Sequence, residues 1–207
     1  TEHQINDDIR RKLALFCNVK KEAVIQSIDA ESIYDVPNLM ADEGLDTITL
    51  RKLNLKDDVV PNLDKWNFFV NKLKNATEEL SIGLVGKYVE LQDSYKSILE
   101  SFIHAGAYND VKVNVVWINS EEQDHNETIF HHLDGILVAP GFGERGVEGK
   151  IAAVEYARTH GVPFLGICLG LQMAVIEFSR HVLNLTEANS EEMDKNTPHL
   201  VIGLMED

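Results

Sequence analysis

The stretch Pro163-Phe164-Leu165-Gly166-Ile167-Cys168-Leu169-Gly170 decides how this chain is read. An apolar run ends at Gly166-Ile167, and a helical pattern runs on from Leu169 to His181. A strand followed by G-x-C-x-G and then a helix is the thiol form of the G-x-S-x-G elbow. Its glycines let strand and helix approach without a side-chain clash, so the sulfur of Cys168 is presented at the sheet edge. A thiol at a helix N-terminus feels the positive end of the helix dipole, which favours the thiolate. The N–H of Leu169 is then free to face a developing oxyanion. The plainer alternative is a cysteine that only packs, since free Cys is among the most buried residue types. Agreement of the glycines, the strand and the helix favours a nucleophile. Cys17 has neither glycines nor a turn around it and reads as structural.

Outward from the elbow the pattern repeats. Leu80 to Gly86 is a short apolar run ended by glycine, a buried strand. Asp93 is placed to cap a helix in which Tyr95, Ile98, Leu99, Phe102 and Ile103 recur at helical spacing. Val111 to Ile118 is β-branched, and Gly135 to Val138 is another buried strand. A turn, Pro140-Gly141-Phe142-Gly143-Glu144-Arg145-Gly146, leads into a helix over about Glu148 to His160, with Gly161 at its C′ position. Strands alternating with helices predict an α/β fold: a mostly parallel sheet with helices on both faces. Ligands of such sheets sit beyond the C-terminal strand ends. The Pro140–Gly146 turn and the elbow both follow strands, so Gly141 N–H is a candidate second oxyanion donor.

The region before Leu80 differs. About Arg10 to Leu55 holds an apolar start, two short helical patterns and a break at Pro37, too little for a core of its own. Lys56 to Glu79 is charged, carries Trp66, Phe68, Phe69 and Val70, and reads as a connecting helix capped by Asn62 or Asp64.

The 207 residues carry 19 Lys plus Arg against 34 Asp plus Glu, a formal charge of −15. With no long basic run, nucleic acid and anionic membranes are poor partners. No apolar run is long enough to span a bilayer. The polar start, Thr1-Glu2-His3-Gln4, does not read as a signal peptide, and a chain without an initiator Met points to a processed or excised polypeptide. Two distant cysteines form no disulfide framework, so a cytoplasmic protein with reduced thiols is expected. His131 and His132 are adjacent and make a poor metal pair, His160 suits a helix C-terminus, and His181 lies too far along the elbow helix to serve Cys168 as a base.

Gly166-Ile167-Cys168-Leu169-Gly170-Leu171-Gln172 resembles the nucleophile segment of class I (triad) glutamine amidotransferases. Lys12 to Val19, Gly86 to Leu91, Gly141 to Gly146 and Ala188 to Glu192, in that order, are similar to the CTP synthase family. The resemblance implies a flavodoxin-like glutaminase fold preceded by the tail of an amidoligase domain. Residues 1–55 would be that tail, 56–79 the interdomain linker and 80–207 the front part of the glutaminase. It implies ATP-dependent amination of UTP to CTP with ammonia released from glutamine at Cys168. Gly141 and Leu169 would form the oxyanion hole, and Phe142, Gln172 and Glu192 would hold glutamine. Lys12 would lie near UTP and Asp29 near the ATP adenine. Lys96, Phe142 and Arg145 would meet GTP, an allosteric activator. ATP and Mg²⁺ would act in a full-length homotetramer, with no tightly bound cofactor and no metal ligand in this chain.

Two departures from the family stand out. Pro140, which has no N–H, replaces a glycine common there, so only Gly141 can donate. The family's P-loop segment is absent, and its catalytic His and Glu lie beyond the terminal strand expected over Leu200 to Asp207. Without that base and its orienter, the chain alone is predicted to be nearly inert. The alternatives are another elbow-type cysteine hydrolase of flavodoxin-like fold, or a non-catalytic nucleotide-binding or assembly module.

Overall fold

A computed structural model describes residues 2–58, 60–122 and 127–204. It divides into two compact units, Thr1–Lys74 and Asn75–Asp207.

The first unit is helical. Helix α1 (Asp7–Phe16) starts where Asn6 accepts the Ile9 N–H at 2.9 Å, and Asp7 and Asp8 complement the dipole in its first turn. Helices α2 (Val36–Asp42) and α3 (Leu45–Lys52) follow. Pro37 does not break the chain. It sits in the first turn of α2, where a missing N–H leaves no helical bond unmade. Glu43 closes this region by accepting two Arg10 bonds at 2.8 Å and the Gln26 amide. Helix α4 (Asp64–Asn75) begins where Asn62 accepts the Asp64 N–H at 2.9 Å. Trp66 and Phe69 of α4 pack on Tyr34, and the Trp66 indole donates to the Tyr34 carbonyl at 2.9 Å. Ala14, Tyr34 and Val70 are the buried hydrophobics of this unit, while Leu15 and Phe16 stand exposed.

The second unit is an α/β sheet. Strands β1 (Glu78–Gly86), β2 (Val111–Asn119), β3 (Gly135–Val138) and β4 (Phe164–Gly166) pair in parallel in the order β2-β1-β3-β4. Helices α5 (Lys96–Asn109), α6 (Val147–His160) and α7 (Leu169–His181) cover it. The strands alternate, as a sheet buried on both faces requires. Val85, Ile136 and Val138 face α6 and α7, meeting Ile151, Val154, Met173 and Ile176. Leu84 and Leu137 face the other way, toward Tyr95 and the Ile98 and Phe102 positions of α5. Each fully buried side chain of this kind contributes about 1.5–3 kcal/mol of transfer free energy.

Two local expectations change. Asp93 does not cap α5: it lies in a tight 3₁₀ turn, Gln92–Tyr95, and α5 starts after it at Lys96. Burial of the Tyr95 ring fixes that later start. A second, two-stranded parallel sheet forms between β5 (Ala188–Ser190) and β6 (His199–Ile202), of which only β6 was expected. Of the rest of that expected strand, Gly203 and Leu204 continue past β6 as irregular backbone, and 205–207 lie outside the described residues.

Parallel strands bring the C-terminal ends of β1, β3 and β4 to one edge of the sheet. The segments that leave that edge begin at Lys87, Ala139 and Ile167.

Candidate active site

Cys168 sits at the cap position of α7 with φ 53° and ψ −109°, a backbone conformation that non-glycine residues rarely adopt. Such a residue costs about 1–3 kcal/mol and persists only where its surroundings over-determine it. Here they do. Ile167 N–H donates to the Val138 carbonyl at 3.1 Å, continuing the ladder to the last residue before the cysteine. On the other side, the Leu171 and Gln172 N–H groups donate to the Cys168 carbonyl at 3.0 and 3.2 Å. The two glycines make the reversal possible. A Cβ on Gly170 would lie 2.2 Å from the Val138 carbonyl oxygen, and one on Gly166 would lie 2.5 Å from the Gly170 carbonyl carbon. The side chain so presented is exposed to solvent, while Leu169 beside it is buried.

The loop after β3 is fastened at several points. Ala139 N–H donates to the Val85 carbonyl at 2.9 Å. Lys150 of α6 donates to the Ala139 carbonyl at 2.9 Å, and Lys87 donates to the Phe142 carbonyl. Gly143 N–H donates to the Glu192 carboxylate at 3.0 Å. With two carbonyls turned toward cations, the loop lies against the elbow: the Cβ position of Gly141 is 3.9 Å from Leu169 Cδ2. Among the described residues neither the Gly141 nor the Leu169 N–H meets a backbone acceptor. The arrangement can present a thiolate beside two amide donors, which is the equipment of acyl transfer.

A cleft of about 370 Å³ is lined by Gln172, Ser190, Glu191, Glu192, Lys195 and Ile202. Gln172 Oε1 and Ser190 Oγ are buried without a hydrogen-bond partner. Buried polar atoms left so are costly unless a ligand or water meets them, so this cleft can take a polar guest.

Of the other positions singled out from sequence, Phe142 is 78% exposed and Arg145 is held by Glu121 at 2.6 Å. Lys96 pairs with Glu100 at the start of α5. Lys12, on α1, and Asp29 are exposed residues of the first unit. His181 is engaged with Glu177, and His160 stacks on Tyr156 at 4.1 Å. Glu155, Glu177 and His181 are the one cluster of metal-ligand type among the described residues, but Glu177 is already held by Arg158.

Lys150 and Ser190 were not foreseen as site residues. Lys150 is completely buried, and its pKa is lowered to about 8, chiefly by burial and then by the charge of Lys87, against an opposing pull from Cys168. A signal for it existed: Lys150 stands three residues after Val147 and four before Val154, on the apolar face of α6.

The glutamine amidotransferase class-I family model matches residues 90–202. The chain belongs to the class I glutamine amidotransferases. In this amidotransferase a second model, that of the CTP synthase N-terminus, matches residues 1–55. Its relatives include the CTP synthases of Christiangramia forsetii, 68% identical over the whole chain and 38% of that protein, and of Flavobacterium psychrophilum, 65% identical over the whole chain and 39% of that protein. The CTP synthase of Methanocaldococcus jannaschii is 54% identical over 99% of the chain and 39% of that protein. Among solved structures, the glutaminase domain of Trypanosoma brucei CTPS with bound acivicin is 39% identical at a TM-score of 0.58, covering 61% of this chain and 50% of that one. The amidotransferase thus spans under two-fifths of the length of the curated relatives it matches.

Proposed function

We propose that this amidotransferase is the part of a CTP synthase that joins the end of the amidoligase to the front of the glutaminase. Residues 1–55 then belong to the first, 56–79 link the two, and 80–207 belong to the second. The observation that carries the reading is the exposed Cys168 on a strained elbow, with the Gly141 loop packed against Leu169.

In this reading the Cys168 thiolate attacks the side-chain amide carbon of glutamine. A C–S bond forms, and the carbonyl oxygen becomes an oxyanion facing the Gly141 and Leu169 N–H groups. Collapse breaks the C–N bond, the nitrogen takes up a proton, and ammonia leaves. Water then adds to the thioester, glutamate departs, and the thiol is restored. Gln172 and Glu192 hold the amino-acid end of glutamine in the cleft they line, the Glu192 carboxylate opposite its ammonium, and Phe142 borders the site. Ammonia replaces the O4 of UTP after ATP has phosphorylated it. Lys12 faces UTP and Asp29 the ATP adenine, with Mg²⁺ bound by residues upstream. Lys96, Phe142 and Arg145 receive GTP. A cytoplasmic homotetramer follows from the same reading; no helix among the described residues is long and apolar enough to cross a membrane.

The test is a Cys168→Ala variant in the intact synthase. Glutamine-dependent CTP formation is lost, while formation from added ammonia persists. Equal loss of both, or retention of both, contradicts the reading.

A further inference from the structure

We propose that Lys87 is a positioning residue of the oxyanion loop: together with Glu192 it clamps the Phe142–Gly143 peptide from both ends and so fixes the direction of the Gly141 N–H. The proposal rests on the reading of Cys168 as nucleophile and Gly141 as donor.

Among the described residues, no backbone–backbone hydrogen bond involves the N–H or carbonyl groups of residues 140–143. Glycines flank Phe142, and Gly143 stands at φ 77°, a region glycine enters as readily as negative φ. The backbone therefore has little preference of its own for which way the peptide after Phe142 points. Two charged side chains supply one. Lys87 Nζ donates to the Phe142 carbonyl, and the Gly143 N–H of the same peptide unit donates to the Glu192 carboxylate at 3.0 Å. A peptide unit carries a dipole of about 3.5 D. Turned over, this one would aim its N–H at an ammonium and its carbonyl at a carboxylate, so the charged pair favours a single orientation.

Lys87 reaches the loop from a rigid base. It follows β1, which has strands on both sides, and the Val85 and Gly86 carbonyls accept the Ala139 and Ser120 N–H groups, each at 2.9 Å. Its stem runs beside the donor residue, Cε lying 3.6 Å from the Cβ position of Gly141. Upstream, Lys150 holds the Ala139 carbonyl at 2.9 Å, and the ring of Pro140 locks its φ. The Gly141 N–H thus lies between two fixed peptide units, one gripped by Lys150 and the other by Lys87 and Glu192. Without Lys87 the second unit is held at one end only, and the Gly141 N–H is misdirected for part of the time.

The experiment compares Lys87→Met and Lys87→Arg with the parent in the intact synthase. Lys87→Met keeps the stem and removes the charge and the donor. It is expected to lower kcat for glutamine hydrolysis about tenfold, short of the roughly 10²–10³ that losing an oxyanion donor outright costs. KM for glutamine stays within about twofold, and CTP formation from added ammonia stays at the parent rate. Lys87→Arg, which retains charge and donors, recovers kcat to within about threefold of the parent. Unchanged kcat, a rise in KM alone, a parallel loss of the ammonia-dependent reaction, or an Arg variant as slow as the Met variant overturns the proposal. A second measurement needs no substrate. Amide hydrogen exchange of residues 141–146, read by mass spectrometry, quickens in Lys87→Met while that of β1 and α6 stays as in the parent; unaltered exchange in the loop overturns the proposal. A parent synthase without glutaminase turnover sinks the reading of Cys168 and this proposal with it, whereas parental turnover that Lys87→Met leaves untouched sinks this proposal alone.

Discussion

Gly143 donates its backbone N–H to the Glu192 carboxylate at 3.0 Å, so one bond joins the loop after β3 to the segment after β5. The loop therefore takes its shape partly from a side chain that also lines the neighbouring cleft. Glu192 accepts from Gly143, which needs only an oxygen, and in the proposed reading it also faces an ammonium, which needs a charge.

Substitutions separate them. Glu192→Gln keeps an oxygen for Gly143 and is expected to leave stability within about 0.5 kcal/mol. It slows modification of Cys168 by acivicin roughly 10- to 100-fold, the loss of one charge-assisted hydrogen bond. Glu192→Ala loses both jobs. Labelling rates and thermal melts of the two variants decide this, and a Gln variant that labels at the parent rate leaves Glu192 with the loop alone.

Gly170 and Gly161 test two different reasons for glycine. A Cβ on Gly170 would meet the Val138 carbonyl at 2.2 Å, so Gly170→Ala must push β3 and α7 apart. Its cost is expected to exceed about 2 kcal/mol. Gly161 ends α6 at φ 67° with nothing within 4 Å of its Cβ position, so Gly161→Ala costs only about 1–2 kcal/mol, the penalty of a left-handed residue. Urea midpoints rank the two. Equal costs would mean that the elbow has slack.

The pair Arg158–Glu177 makes a pH-dependent prediction. Burial alone would raise the Glu177 carboxyl, but Arg158, bonded to both its oxygens at 2.7–3.1 Å, and His181 hold it below the usual carboxylate range. A carboxyl depressed in the folded state contributes stability above its unfolded pKa and loses it as pH falls through the folded value. Acidification below about pH 4.3 therefore weakens the parent. Arg158→Met strands a buried carboxylate and costs about 3–5 kcal/mol at pH 7, a gap that narrows toward pH 4 as that carboxylate protonates. Parallel stability profiles at pH 7 and pH 4 would contradict this.

Much of the sheet and the elbow was legible because both rest on local rules. Short apolar runs located β1, β3 and β4, and the glycines around Cys168 announced a close approach that the Val138 carbonyl explains. What sequence did not show depends on tertiary partners. Ala188-Asn189-Ser190 has no β-branched residue and becomes a strand only because His199–Ile202 lies beside it. Asp93 looked like a cap, yet the buried Tyr95 ring decides where α5 starts. Lys150 sits on an apolar helix face in the sequence, but only the fold sets the Ala139 carbonyl within 2.9 Å of it. The roles of Lys12 and Asp29 rest on resemblance, since both are exposed residues of the first unit with no pattern of their own.

The central claim is that Cys168 is a nucleophile addressed by glutamine. The direct measurement is peptide mapping of the 207-residue chain after treatment with acivicin, with and without excess L-glutamine. The account predicts one adduct, on Cys168, suppressed by L-glutamine but not by D-glutamine, with Cys17 untouched. An unmodified Cys168, or labelling that L-glutamine does not protect, would contradict it.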